Sequence, residues 1–183
     1  ATARCKSAPV FRAAAEPRCV TTFSTRTAAN VVWAMATVRF MVPRDFNHTF
    51  LQHATQTLGL QTFNEQGLSN VTWSMALIGG DSGALLIMRA AEELRLRGGS
   101  EPRTLASVAW AYAKIKGADP SFFSFISSTA TNSVEEASAQ DLSTFVWAFA
   151  SAQQRSDQLF QAVANRALFL VSSLNDQQVS NIM

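Results

Sequence analysis

Charge is scarce in this chain: Asp, Glu, Lys and Arg make up 15% of its 183 residues, while 48% are hydrophobic. That balance excludes a disordered polar tail and supplies enough apolar material for a packed core. Long apolar runs are also missing. A membrane span needs about 18 to 20 consecutive apolar residues, and the run 83–88 is followed at once by Arg89 and Glu92. The chain therefore reads as soluble or peripheral, without membrane insertion. There are 2 cysteines, Cys5 and Cys19, with no histidine or further cysteine at ligand spacing, so a zinc site cannot be completed and free thiols are expected. The 2 histidines, His48 and His53, have poor spacing for one helix face and no neighbouring carboxylate to orient them, and they read as solvated or half-buried helix surface. Motifs that carry catalysis are lacking too: no G-x-S-x-G, no phosphate-cradling glycine loop and no H-E-x-x-H occur. The pairs Glu92-Glu93 and Glu135-Glu136 are adjacent residues that point apart, as surface charges do. The expectation is a non-enzymatic protein with no metal, no cofactor and no small-molecule substrate.

The formal net charge of +2 is unevenly spread. Residues 1–45 carry Arg4, Lys6, Arg12, Arg18, Arg26, Arg39 and Arg44 against Glu16 and Asp45, a balance of +5, whereas residues 46–183 hold eight basic and eleven acidic residues, a balance of −3. The opening stretch, ATARCKSAPVFRAAAEPRCVTTFSTRTAA, is rich in Ala, Arg, Ser and Thr. This suits either an organellar leader or a flexible arm, and residues 1–22 are expected to form a basic N-terminal arm, a transit-peptide remnant or an extended segment. The chain starts on Ala, as a processed product or fragment would.

What is present is a repeat. Four tryptophans align with their surroundings: TAANVVWAMATVR at Trp33, GLSNVTWSMALIG at Trp73, TLASVAWAYAKIK at Trp110 and DLSTFVWAFASAQ at Trp147. Their spacings are 40, 37 and 37 residues. Self-similarity at such a period marks a stack of units, none of which can bury its own apolar face alone. Apolar positions recur at helical spacing within each motif, as in Leu68, Val71, Met75 and Ile78 or Leu105, Val108, Tyr112 and Ile115. The tryptophans flank this stripe beside small residues such as Ala34, Ser74, Ala111 and Ala148, so Trp33, Trp73, Trp110 and Trp147 read as the structural core of the repeat. On that reading Trp110→Ala costs on the order of 3 to 5 kcal/mol.

A second helix is expected after each motif. Its starts are marked by Asp45, Asp81 or Ser82, Asp119 before Pro120, and Ser156 or Asp157, with Gly79, Gly80 and Gly117 as stops between the helices. In the fourth unit Leu159, Phe160, Val163, Ala164, Ala167, Leu168 and Val171 draw one apolar face. The longer first spacing maps to an insertion in the Phe40 to Arg44 loop. The C-terminal NDQQVSNIM aligns with NEQGLSNVT, so a fifth unit begins there, and more chain or a partner is expected to cover that end. The predicted fold is all-α: a right-handed α-solenoid of helix-turn-helix repeats of about 37–40 residues, covering 23–60, 61–99, 100–136 and 137–173 and starting a fifth at 174–183.

The motifs Leu68-Ser-Asn-Val-Thr-Trp73-Ser-Met-Ala and Leu142-Ser-Thr-Phe-Val-Trp147-Ala-Phe-Ala resemble the helical unit of octatricopeptide-repeat proteins, to which FAST-kinase-like and RAP-domain proteins carry related units. The resemblance covers about residues 20–183. The second helices match it by pattern only, and no RAP domain is visible. It implies an organellar RNA-binding factor of a plastid or mitochondrion, or a structural subunit of an organellar assembly.

If RNA is read, polar side chains line one face of successive first helices. Positions three before and four after each Trp share a face, giving Asn30 and Thr37, Asn70 and Leu77, Ser107 and Lys114, and Thr144 and Ser151. Asn, Ser and Thr can bond base edges, while Arg39, Lys114 and Lys116 can meet phosphates. The bland alternative treats these as solvated or capping positions. Two functions therefore compete: RNA binding in organellar gene expression, opposed by the net acidity of residues 46–183, and a scaffold packed into a large complex such as a ribosome, photosystem or respiratory assembly through protein-protein contacts.

Overall fold

The structure, a computed structural model, describes residues 8–182. Cys5, Arg4 and Lys6 of the expected arm lie outside the described residues. The fold is an all-α helical repeat of eleven helices among the described residues: α1 (Ala8–Ala14), α2 (Pro17–Val20), α3 (Thr25–Thr37), α4 (Arg44–Gln52), α5 (Glu65–Ile78), α6 (Gly80–Leu96), α7 (Pro102–Lys114), α8 (Pro120–Ser133), α9 (Ala139–Ser151), α10 (Asp157–Phe169) and α11 (Asp176–Ile182). Among the described residues, no helix is long and apolar enough to cross a membrane. The chain divides into two compact units, residues 1–90 and 91–183.

The odd-numbered helices from α3 onward are the first helices of the repeats, and each starts where the tryptophan register demands. Nine residues before Trp33, Trp73 and Trp147 stand Ser24, Asn64 and Ser138, whose side chains accept from the backbone N–H of Thr27, Gly67 and Asp141. Each satisfies a donor that the first helical turn leaves orphaned. Ser138 and Asp141 complete a reciprocal capping box. At α11 the same job falls to Asn175 and Gln178, which exchange two 2.9 Å hydrogen bonds between side chain and backbone. In α7 the start is set instead by Pro102 in the first turn, after Glu101.

In the first unit α3 packs on α5, and α2 packs on α4. The core between these layers is Val32 and Met35 of α3, Leu68, Val71 and Met75 of α5, and Phe46 and Phe50 of α4, whose rings stack at 5.7 Å. Gly79 ends α5, and the chain turns so tightly into α6 that a Cβ on Gly83 would lie 2.6 Å from the Met75 carbonyl oxygen. The second helix of the first repeat, α4, departs from regular geometry: after Gln52 it widens into a π-type turn, His53–Leu58, and stops at Gly59, which takes φ 80°.

In the second unit α7 packs on α9 and α9 on α11, while α8 packs on α10. A chain of rings fills the space between the layers, running Tyr112 to Phe122 (4.5 Å), Phe122 to Phe123 (5.5 Å), Phe123 to Phe149 (5.0 Å) and Phe149 to Phe160 (6.0 Å). Offset and edge-on rings of this kind add to simple area burial. Burial raises the Tyr112 phenol above its ordinary value, helped by the charge of Asp119. Asp119 caps α8, and hydrogen bonds from Ser121, led by its backbone N–H, hold its carboxyl below the usual range.

Several sequence expectations need correction. The segment 8–20 is not extended: it forms α1 and α2, and buries Ala15 and Val20. Its α2 packs on α4 as α8 packs on α10, so this part of the expected arm belongs to the fold. His53 is buried, 3% exposed, because the π-type turn brings its Nε2 to 2.7 Å from the Phe23 carbonyl oxygen; His48 is exposed as expected. Pro43, which makes no capping hydrogen bond, stands before α4 and leaves Asp45 inside its first turn, and α6 starts at Gly80, leaving Asp81 inside its first turn. On α10 the apolar face is narrower than its pattern, since Ala164 and Leu168, with Val171 beyond, are exposed. Cys19 is a free thiol.

Candidate nucleic-acid interface on the first helices

None of the tryptophans is fully buried. Trp33 is 47% exposed, and Trp73, Trp110 and Trp147 are half-buried. The large buried side chains are Met35, Met75, Tyr112 and Phe149, each two residues after a tryptophan. Helical residues two positions apart are separated by roughly 200° around the axis. Burying the second therefore turns the tryptophan outward, into the column that holds the polar positions.

In the first unit that column reads Arg26, Asn30, Trp33 and Thr37 on α3, beside Gln66, Asn70, Trp73 and Leu77 on α5. A cleft of about 430 Å³ opens here, lined among others by Arg26, Asn30, Phe63, Gln66, Gly67 and Asn70. The floor is close to backbone at Gly67, where a Cβ would stand 3.0 Å from Asn64 Oδ1 and 3.4 Å from the Phe63 ring. Asn30 is exposed and Asn70 half-buried, and both side-chain amides are open to an external partner. Thr37 differs, for its hydroxyl donates to the Trp33 carbonyl at 2.8 Å. Arg39 is exposed, two residues beyond Thr37.

In the second unit the column reads Arg103, Ser107, Trp110 and Lys114 on α7, beside Gln140, Thr144, Trp147 and Ser151 on α9. The Trp110 and Trp147 rings lie 5.9 Å apart, inclined at 37°. Lys114 Nζ stands 6.0 Å from the Trp110 ring centroid, within reach of a cation-π attraction. Ser107 and Thr144 are half-buried, whereas Lys114, Lys116 and Ser151 are exposed. The Thr144 hydroxyl donates to the Gln140 carbonyl at 2.7 Å and accepts from the Gln140 amide at 3.3 Å, so it serves its own helix. Gln140 is tied in turn to Gln178 of α11 at 3.1 Å.

The structure thus gathers Asn30 with Asn70 on one cleft, and Trp110, Trp147 and Lys114 on one aromatic surface. Thr37 and Thr144 are occupied by local bonds. Two cations outside the sequence-derived set, Arg26 and Arg103, sit seven residues before a tryptophan, on the same face one helical turn beyond the polar position. Extending the i, i+3, i+7 count toward the N-terminus finds them. Of the acidic pairs, Glu92 and Glu93 face Arg95 and Arg97 in helical ion pairs, as surface charges do.

A column of aromatic rings, amides and cations on a helical repeat has the chemistry that stacks bases and meets phosphates. Comparison with known proteins agrees in kind. No curated protein matches the chain, but residues 11–183 match the RNA-editing substrate-binding complex 6 protein family. The match begins within α1, in keeping with the packing of the first short helices into the fold. The chain belongs to the RNA-editing substrate-binding complex 6 protein family.

Proposed function

We propose that this chain is a non-catalytic, RNA-binding subunit of an organellar RNA-editing complex, and that within each unit it holds single-stranded RNA on the tryptophan face of its first helices. The observation that carries the reading is the outward position of Trp33, Trp73, Trp110 and Trp147, in register with the polar positions rather than with the core. Partly exposed indoles beside amides and cations form a stacking surface that tolerates many base sequences, with Asn30 and Asn70 able to bond base edges. The acid-poor, basic character of the opening residues 1–29 supports residence in a mitochondrion or plastid. The likeness to octatricopeptide-repeat units is of a piece with this use of the first helix.

Fluorescence anisotropy with a labelled single-stranded RNA tests it. Each base stacked on an aromatic ring contributes about 1–3 kcal/mol, so the double variant Trp110→Ala, Trp147→Ala is expected to weaken binding by roughly 10-fold or more without unfolding the chain. Unchanged affinity would sink the stacking role.

A second reading has its own support. Leu168 and Phe169 on α10 and Val171 after it are 74%, 78% and 65% exposed, an apolar strip of the kind that docks onto protein. On this reading the chain is a protein-contact subunit of the complex. Retention of RNA affinity but loss of co-purifying subunits on Phe169→Ser would favour it.

A further inference from the structure

Three residues other than glycine take positive φ among the described residues: Arg39 (φ 52°), Lys116 (φ 62°) and Gln153 (φ 54°). All three occupy the same place in their repeats, six residues after Trp33, Trp110 and Trp147. Each closes a first helix with the same pair of bonds. The N–H groups of Arg39, Lys116 and Gln153 reach the carbonyls of Ala36, Ala113 and Ala150, while those of Phe40, Gly117 and Gln154 reach back to Met35, Tyr112 and Phe149 at 2.9 Å. This is the helix-ending turn that glycine serves best and asparagine next, because a Cβ crowds the left-handed conformation. The second repeat lacks this turn: the equivalent position is Gly79, at φ −86°, and the positive φ, 51°, falls one residue later on Gly80, where α6 begins.

Three repeats thus accept strain to keep a long side chain that ends in hydrogen-bond donors. A favourable charge at a helix C-terminus accounts for Arg39 and Lys116 but not for neutral Gln153. Arg39, Lys116 and Gln153 are exposed, and among the described residues Arg39 and Lys116 enter no ion pair. Left-handed residues that the backbone would rather give to glycine cluster where side chains have work to do.

Resting on the RNA-binding reading above, we propose that Arg39 and Lys116 are phosphate-contact residues for single-stranded RNA, with Gln153 a weaker third. The helix-ending turn then sets one backbone contact per repeat, a fixed step from the stacking tryptophan. The second repeat, with glycines at this place, contributes none.

The test sets stability against binding in the full chain. Arg39→Gly and Lys116→Gly relieve the strain and are each expected to raise Tm by about 2–4 °C. Both are expected to weaken binding of a labelled single-stranded RNA and to flatten the dependence of log K on log salt by about 0.7 per site lost. Lys116→Gln, which removes the charge but keeps the strained turn, is expected to weaken RNA binding with no gain in Tm. Three results would overturn the proposal: a lowered Tm in the glycine variants, an unchanged salt slope, or loss of co-purifying proteins with RNA affinity intact. If the glycine variants bind RNA normally while Trp110→Ala, Trp147→Ala does not, this assignment alone fails. If the unaltered chain binds no single-stranded RNA, the underlying reading fails with it.

Discussion

Within each repeat two large side chains compete for the core from positions only two apart, and they cannot both win. Met35 is fully buried while Trp33, on nearly the opposite side of α3, is 47% exposed. Deleting them should therefore have unequal effects on folding. Met35→Ala leaves a void in a close-packed interior and is expected to cost about 2–5 kcal/mol. Trp33→Ala is expected to cost less, about 1–2 kcal/mol, since nearly half of its surface already meets water. Urea titration of the two variants checks this, and equal losses would return the tryptophan to the core. The contrast also explains why the sequence misleads at this point. The size of an indole argues for burial, and the small residues after it argue for close packing. The decisive signal is smaller: a second bulky residue, Met, Tyr or Phe, recurs two positions later in all four motifs.

At the scale of the element, the tryptophan spacing and the 3.6-residue period made the helices and their order legible, and Asp119 and Ser156 were readable as caps of α8 and α10. What escaped were features set by contacts distant in sequence. Residues 8–20 look like an arm because Ala and Arg dominate them, yet α2 needs to bury only Val20 against its neighbours to join the fold. His53 looks like surface because nothing near it in sequence could orient it, but its partner is a carbonyl 30 residues earlier. The tight turn from α5 into α6 has a similar hidden demand. Gly83 is helical and could be alanine by propensity, but its added methyl would meet the Met75 carbonyl at 2.6 Å and the Met75 Cβ at 3.4 Å. Gly83→Ala is expected to destabilise the chain by about 1–3 kcal/mol in chemical denaturation, against the gain of roughly 1 kcal/mol that helix propensity alone would give. A stabilised variant would mean that the two helices can move apart freely.

For the whole molecule, charge decides what kind of RNA binding is physically available. Residues 46–183 carry a balance of −3, so these repeats offer a polyanion no net positive charge. The cations that share the tryptophan faces or close their helices are few: Arg26 and Arg39 in the first unit, and Arg103, Lys114 and Lys116 in the second. Displacing counterions from a single strand contributes a salt slope of about −0.7 per phosphate neutralised, so five such contacts cap the slope near −3.5. Stacking on the partly exposed indoles, which depends little on salt, then has to supply much of the affinity. Binding of labelled single-stranded RNA measured from 50 to 200 mM salt is expected to weaken by no more than about 100-fold, where a protein with six to ten phosphate contacts on a duplex loses about 10³ to 10⁵. A steeper slope would place the RNA on some other, more basic surface, and would remove the tryptophan column from the centre of recognition. A shallow slope that survives Trp110→Ala, Trp147→Ala with affinity intact would do the same from the opposite direction, because it would show weak charge dependence without the rings meant to replace it.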